Sequence, residues 1–221
     1  TRKAIELNPN FADAYYNLGN ILNEIGKSQE SFDSYLKVIH INPKHSNVYP
    51  SITRLIRDSD PSKLNKEKLE KTLNILIEKN NLPHKELFKA FNYLYKKKII
   101  NCLKELNSDL TKDKYYKSLI KDKLIIKALK KIIFEDIELE KILTRFRKDI
   151  CNRIEKERYS IDDIELEFTI ALAEQCFLNE YIYKITKEEN RSIQKIINRC
   201  KVGELNETTI SILSCYIPLF K

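Results

Sequence analysis

Pro9 and Pro43 stand 34 residues apart in closely similar surroundings, AIELNPNFADAYYNLG and VIHINPKHSNVYPSIT. A period of 34 belongs to a helix-turn-helix unit that cannot bury its apolar face alone and does so by stacking on copies of itself. At least the start of the chain is therefore expected to form a one-dimensional helical array. In this register Thr1 falls inside the second helix of a unit whose first helix is missing. The chain also contains no Met. The expectation is a fragment of a longer protein.

One unit is complete, from Ala12 to His45. Its pattern is Tyr15-x2-Leu18-Gly19-x2-Leu22, then Ser31-x3-Tyr35-x2-Val38-x4-Pro43. Each position has a physical reason. Gly19 lets the second helix approach the first, and Ser31 is small enough for a close crossing. Gly26 suits a left-handed cap after the first helix, and Pro43 stops the second. This pattern resembles the tetratricopeptide repeat. Ala4 and Pro9 match the end of a preceding copy. A following copy decays: Tyr49 and Ile52 keep the pattern, but Thr53 replaces the glycine and Pro50 falls in the first turn. The helix near 46–57 and its successor are expected to cap the array.

Composition excludes the main alternatives. The chain has 221 residues, 42% apolar and 33% charged, with 3 Gly and 6 Pro. That is globular composition with little turn chemistry for sheets, and neither hairpin dipeptides nor sustained alternation is present. The fold class is all-α: tetratricopeptide repeats (an α-solenoid) followed by an α-helical spacer domain. No apolar run reaches the ~18 residues that would cross a bilayer, so no membrane span is expected. Five cysteines, none in a C-x-x-C pair, read as reduced thiols in a cytoplasm rather than a disulfide framework; Cys151, Cys176 and Cys215 lie in apolar helical contexts.

Three segments are expected. Residues 1–60 hold the repeats, and RDSDPSK at 57–63 reads as a boundary. Residues 61–133 form a Lys-rich helical connector, with Leu69, Leu73, Leu76 and Ile77, then Leu87, Phe88, Phe91, Leu94 and Tyr95, at helical spacing. In 114–136 the apolar positions are Leu119, Ile120, Ile126, Leu129 and Ile133. Residues 134–221 form the spacer. It opens with a helix over 136–150, acids early and bases late as the helix dipole prefers. A helix over 164–183 follows, capped by Ser160-x-x-Asp163 and apolar nearly all round, which predicts a central, buried element with Phe177 in its core. Thr186-x-x-Glu189 opens another helix that ends at Gly203, and the last apolar helix stops at Pro218. The net charge of +8 is concentrated in the middle: residues 61–160 carry 26 basic and 15 acidic side chains.

The C-terminal half resembles the spacer of bacterial proteins in which a tetratricopeptide array precedes a class I S-adenosylmethionine-dependent methyltransferase-like domain. EDIELEKILTRFR (135–147), ALAEQCFLNEYIY (171–183) and ILSCYIPLF (212–220) carry the likeness. The resemblance implies a chain that stops short of the catalytic domain. Three glycines, none in a G-x-G arrangement, cannot build the Gly-rich turn that holds such a cofactor. No cofactor and no catalytic residue are therefore assigned to this chain.

The partner-binding candidates are Asp13, Tyr16, Asn17, Asn20, Asn23 and Glu24, on the concave side of the first helix of the complete repeat. Asn17, Asn20 and Glu24 share a stripe, and Asn both donates and accepts, so it can hold an extended peptide by its backbone. The string Tyr15-x-Asn17-Leu18-Gly19-Asn20 also resembles the repeats of O-linked N-acetylglucosamine transferases, whose asparagine ladder, here Asn17, does that work. A second candidate is a buried polar cluster, Gln175, Cys176, Asn179 and Glu180. Its members must be paired, with Glu180 meeting Arg145 or Arg147. A catalytic reading of Cys176 with Glu180 or His84 as base is disfavoured, because an apolar setting raises a thiol's pKa. His40, His45 and His84 form no metal-ligand pattern.

The basic middle admits an alternative, a nucleic-acid-binding module in which Tyr93, Tyr95, Tyr115 and Tyr116 stack on bases. Interspersed acids and the lack of any nucleic-acid motif favour a solvated face instead. The reading is an adaptor for a protein or peptide ligand, in contact with a further domain of its own polypeptide.

Overall fold

The computed structural model describes residues 1–104, 114–157 and 161–218. These residues form α-helices and two 3-10 turns, with no strand among them. The chain is all-α, as the composition requires. It divides into two compact units, Thr1–Leu94 and Tyr95–Lys221. The sequence-based divisions after residues 60 and 133 fall inside the first and second unit respectively.

In the first unit, α1 (Arg2–Leu7), α2 (Ala12–Glu24), α3 (Ser28–Ile41), α4 (Val48–Asp58) and α5 (Lys66–Ile77) follow in order, with α2 and α3 packed as a helical hairpin, α1 against α2 and α4 against α3. Gly26 ends α2 at φ 75°, where a side chain would be strained. The Ser31 hydroxyl donates to the Gly19 carbonyl at 2.7 Å, pinning α3 to the backbone of α2. Phe32, Val38, Ile52, Leu55, Ile56, Leu69 and Leu73 are fully buried between these helices. The 57–63 segment is a tight connection within the unit. Asp60 caps a 3-10 turn, Pro61–Lys63, by accepting from the Ser62 amide. α5 then lies along α3: Gln29 accepts from the Asn65 amide (2.7 Å), and Lys68 pairs with Asp33 (2.6 Å). Pro50 is tolerated in the first turn of α4, where its missing N–H has no partner within the helix to lose. A second 3-10 turn, His84–Leu87, leads into α6 (Phe88–Lys104).

The second unit contains α7 (Lys114–Ile120), α8 (Lys123–Lys131), α9 (Ile137–Glu157), α10 (Asp163–Leu178), α11 (Lys187–Lys201) and α12 (Glu207–Ser214). The 114–136 run is broken at Asp122, which caps α8 by accepting from the Leu124 and Ile125 amides. The chain leaves α8 before Ile133, so Ile132 is buried and Ile133 only half-buried. Asp136 caps α9, accepting from the Glu138 and Leu139 amides (3.0 and 3.1 Å), and pairs with Lys96 at 2.6 Å. Thr186 and Glu189 form the expected capping box of α11, and Gly203 follows its end at φ 105°. The last helix stops at Ser214, four residues before Pro218.

Three rings, Tyr116, Phe146 and Phe168, pack with centroids 5.3 to 6.1 Å apart at the centre of this unit. Two buried ion pairs flank them. Glu165 accepts from the Tyr116 hydroxyl (2.7 Å) and meets Arg153 through both carboxylate oxygens. Arg147, 1% exposed, pairs with Glu189 at 3.2 Å, donates to the Lys184 carbonyl and lies 4.3 Å from the Tyr216 ring centroid. The Tyr216 hydroxyl donates to the same Glu189 oxygen. Buried charges persist only when paired and hydrogen-bonded in this way.

α10 corrects three expectations. Its cap is Asp162, which accepts from the Glu165 amide at 2.8 Å; Ser160 lies outside the described residues. The helix stops at Leu178 rather than running to 183. Glu180 and Tyr181 then adopt left-handed backbone, φ 52° and 57°, and the Tyr181 amide returns to the Cys176 carbonyl at 2.8 Å. This is a helix-ending motif that normally uses glycine. Phe168, Ala171 and Leu172 are fully buried, but Phe177 is 64% exposed. An all-round apolar helix in this position has two apolar faces, one turned to the core and one to solvent.

Candidate protein-binding face

The first helices of two successive repeats, α2 and α4, share a surface. Its centre is Tyr16, half-buried, whose hydroxyl meets that of Ser51 across the helices at 3.1 Å. The Tyr16 ring stands 5.9 Å from Tyr35 and 4.8 Å from His45, centroid to centroid. Tyr35 comes up from α3 and donates its hydroxyl to Asn20 Oδ1 at 2.7 Å. Burial raises the Tyr35 pKa, so its phenol stays neutral and donates. At one end His45, mostly buried, meets the exposed Asp13 at 3.3 Å.

Of the six expected binding residues, Asp13, Asn17 and Glu24 are exposed, while Tyr16, Asn20 and Asn23 are half-buried. Asn20 is not a free amide: Tyr35 occupies its oxygen, leaving the NH2 group to donate. The 34-residue step takes Asn17 to Ser51 and Asn20 to Arg54, so an asparagine ladder does not continue onto α4. Arg54 is exposed and supplies a positive charge to this surface, close enough to favour the ionised form of Tyr35. It was missed in the sequence, although adding the repeat period to Asn20 finds it.

The second candidate cluster is structural. The Gln175 amide, oriented to meet its neighbours, donates to the carbonyls of Leu129 (3.0 Å) and Ile132 (2.9 Å) and accepts from Asn179 (2.9 Å). It closes the end of α8, whose last carbonyls have no partner within the helix. Asn179 passes its other hydrogen to the Tyr183 hydroxyl at 2.7 Å. Glu180 is exposed beyond the helix end, and Arg147 takes Glu189 instead. Cys176 is fully buried, so no substrate reaches it. Its thiol corrects the electrostatic expectation: the neighbouring Cys215 thiol and the Arg147 guanidinium hold its pKa below the ordinary value despite burial. For Cys215 and Cys151 burial dominates; Cys215 is pushed well up and Cys151 to about 11.

The stacking tyrosines of the nucleic-acid alternative are mostly inside the protein. Tyr95 and Tyr116 are buried, Tyr115 is half-buried, and Tyr93 is exposed. Lys96 is committed to Asp136 and Glu138, and Lys98 to Asp122. Among the described residues no helix is long and apolar enough to cross a membrane.

Residues 1–32 match the family model of the tetratricopeptide repeat, which covers α1, α2 and the opening of α3. No curated protein and no solved structure matches the chain. Stacked helical repeats of this kind present extended surfaces for protein–protein contact.

Proposed function

We propose that the chain is a protein-interaction scaffold whose α2–α4 surface holds an extended segment of a protein partner. One observation carries the reading. Tyr16 and Ser51 tie the two helices together, leaving Asn17, the Asn20 amide and Arg54 presented beside them. Amide side chains at one helical spacing suit the backbone of a peptide, and a guanidinium beside them suits a carboxylate on it. The rigid Tyr16–Tyr35–His45 stack keeps the ordering cost of binding low.

Selection from a displayed random-peptide library on the full chain tests this. Acidic peptides should be enriched, and Arg54→Glu should weaken them at least tenfold, with Asn17→Ala weakening them less. Neither substitution should move the melting curve, since both side chains are exposed. Failure to enrich any peptide, or binding indifferent to both changes, overturns the reading.

The likeness of 135–147, 171–183 and 212–220 to spacers before methyltransferase-like domains supports a finer version, in which the held partner is presented to such a domain of the same polypeptide. The three buried free thiols support a reducing, cytoplasmic setting.

A further inference from the structure

The outward face of α10 and one side of α12 enclose an open groove of about 730 Å3. Ile170 and Phe177, two turns apart, form one wall, and Ile210 stands on the other. These side chains are 40, 64 and 39% exposed and lie together around one groove rather than scattered. The floor is made of small residues, Ala173, Ser211 and Ser214, which admit a close approach. One end is closed by Tyr181, whose ring meets Phe177 edge-on at 6.5 Å. Two consecutive left-handed residues, Glu180 and Tyr181, hold that ring in place, so the wall is set by the backbone.

Charge selects the occupant. Two carboxylates, Glu174 and Glu207, project among these apolar groups. Glu174 lies on α10 between Ile170 and Phe177, and neither acid has an ion-pair partner among the described residues. Both side chains reach solvent at the groove's edge, and partial burial still pushes the Glu174 pKa up, with Lys130 only partly offsetting it. Carboxylates at the edge of an apolar groove favour a cation placed beside them. Along α10, Ile170 and Phe177 are seven residues apart, about 10 Å at 1.5 Å per helical residue, or two helical turns. We infer that the groove between α10 and α12 is a docking site for an amphipathic helix of a protein partner, one with Lys or Arg beside its apolar stripe. In helix-in-groove recognition the incoming helix presents apolar anchors at i, i+3 or i+4, and i+7, and the two-turn span from Ile170 to Phe177 is long enough to receive them. The carboxylates set the sign of the flanking charge and discriminate against acidic helices.

The test uses the full chain and two synthetic 18-residue helical peptides with identical leucine stripes, one flanked by lysine and one by glutamate. Fluorescence anisotropy should show the Leu/Lys peptide binding at least tenfold more tightly than the Leu/Glu peptide. Glu174→Lys with Glu207→Lys should reverse that order. Phe177→Asp should abolish binding while leaving the melting curve in place. Glu67→Lys, on the surface of the first unit, should change nothing, which separates groove binding from general attraction of a basic peptide. Arg54→Glu should also leave this binding intact, so failure here is distinct from failure of the α2–α4 reading. Equal affinity for the two peptides overturns the inference. So does binding that survives Phe177→Asp, or a concentration-dependent dimer that Phe177→Asp dissociates, which would assign the groove to a second copy of this chain.

Discussion

The Tyr35 ring stands where a side chain on residue 19 would begin. A β-carbon built on Gly19 would lie 2.5 Å from Tyr35 Cε1 and 2.7 Å from Cδ1. The ring cannot swing aside freely, because it is 2% exposed and its hydroxyl is tied to Asn20. The same contact brings the Ser31 hydroxyl within reach of the Gly19 carbonyl.

Gly19→Ala should therefore destabilise the first unit by about 1–3 kcal/mol, the usual cost of overpacking, despite alanine's better helix propensity. Asn20→Ala should cost about 1 kcal/mol, because the Tyr35 hydroxyl loses its acceptor. Urea denaturation followed by circular dichroism reads both. A gain in stability for Gly19→Ala would show that Tyr35 is not packed as described.

Phe168 and Phe177 lie on one helix with opposite environments, fully buried and 64% exposed. Phe168→Ala should cost about 3–5 kcal/mol and Phe177→Ala less than about 1 kcal/mol. Thermal melts of the two variants should separate clearly. Equal losses would place Phe177 in the core.

The Arg147–Glu189 pair is sealed from water at 1 and 0% exposure. Removing one partner strands the other, so Glu189→Ala should cost about 3–5 kcal/mol, while Arg147→Met with Glu189→Leu should recover much of that loss. Glu189 also closes the capping box of α11, so recovery should fall short of complete. The double variant being worse than both singles would contradict this account.

Asp136 gives stability a dependence on acid. Burial pushes its pKa up, but the Lys96 ion pair and the Leu139 and Glu138 amides outweigh that and hold it below the ordinary carboxylate value. Its contribution is present above the unfolded value, near 4, and is lost as pH falls through the lower folded value. Asp136→Asn keeps the cap on α9 but loses the charge. It should be less stable than the parent at pH 7, with the difference closing below about pH 4 in urea titrations at each pH. A difference that is constant with pH would assign the effect to the cap alone.

The repeat architecture was readable because its physics is periodic: Gly19, Ser31, Tyr35 and Pro43 are required by close helix crossing and by termination, wherever the chain goes next. The same period reaches Arg54 once Asn20 is stepped forward. Residues 57–63 misled because Asp and Pro are shared by domain boundaries and by capped 3-10 turns. α10 misled for a different reason. Hydrophobicity all round a helix records that no face is polar, not that every face is covered, and Phe177 lies on the uncovered one. Glu180 and Tyr181 gave no warning, since left-handed helix ends usually advertise themselves by glycine. The partners of Arg147 and Glu165 depend on side chains far away in sequence, which no local pattern encodes.

The Gln175 amide has a consequence for how the second unit assembles. The carbonyls it satisfies, on Leu129 and Ile132, were synthesised more than forty residues earlier. Without α10, the end of α8 has only solvent to meet its last carbonyls; with α10 in place that end is shut away with one side chain's two hydrogen bonds to hold it. The C-terminal end of α8 and α10 are therefore coupled, and rise or fall as one cooperative block.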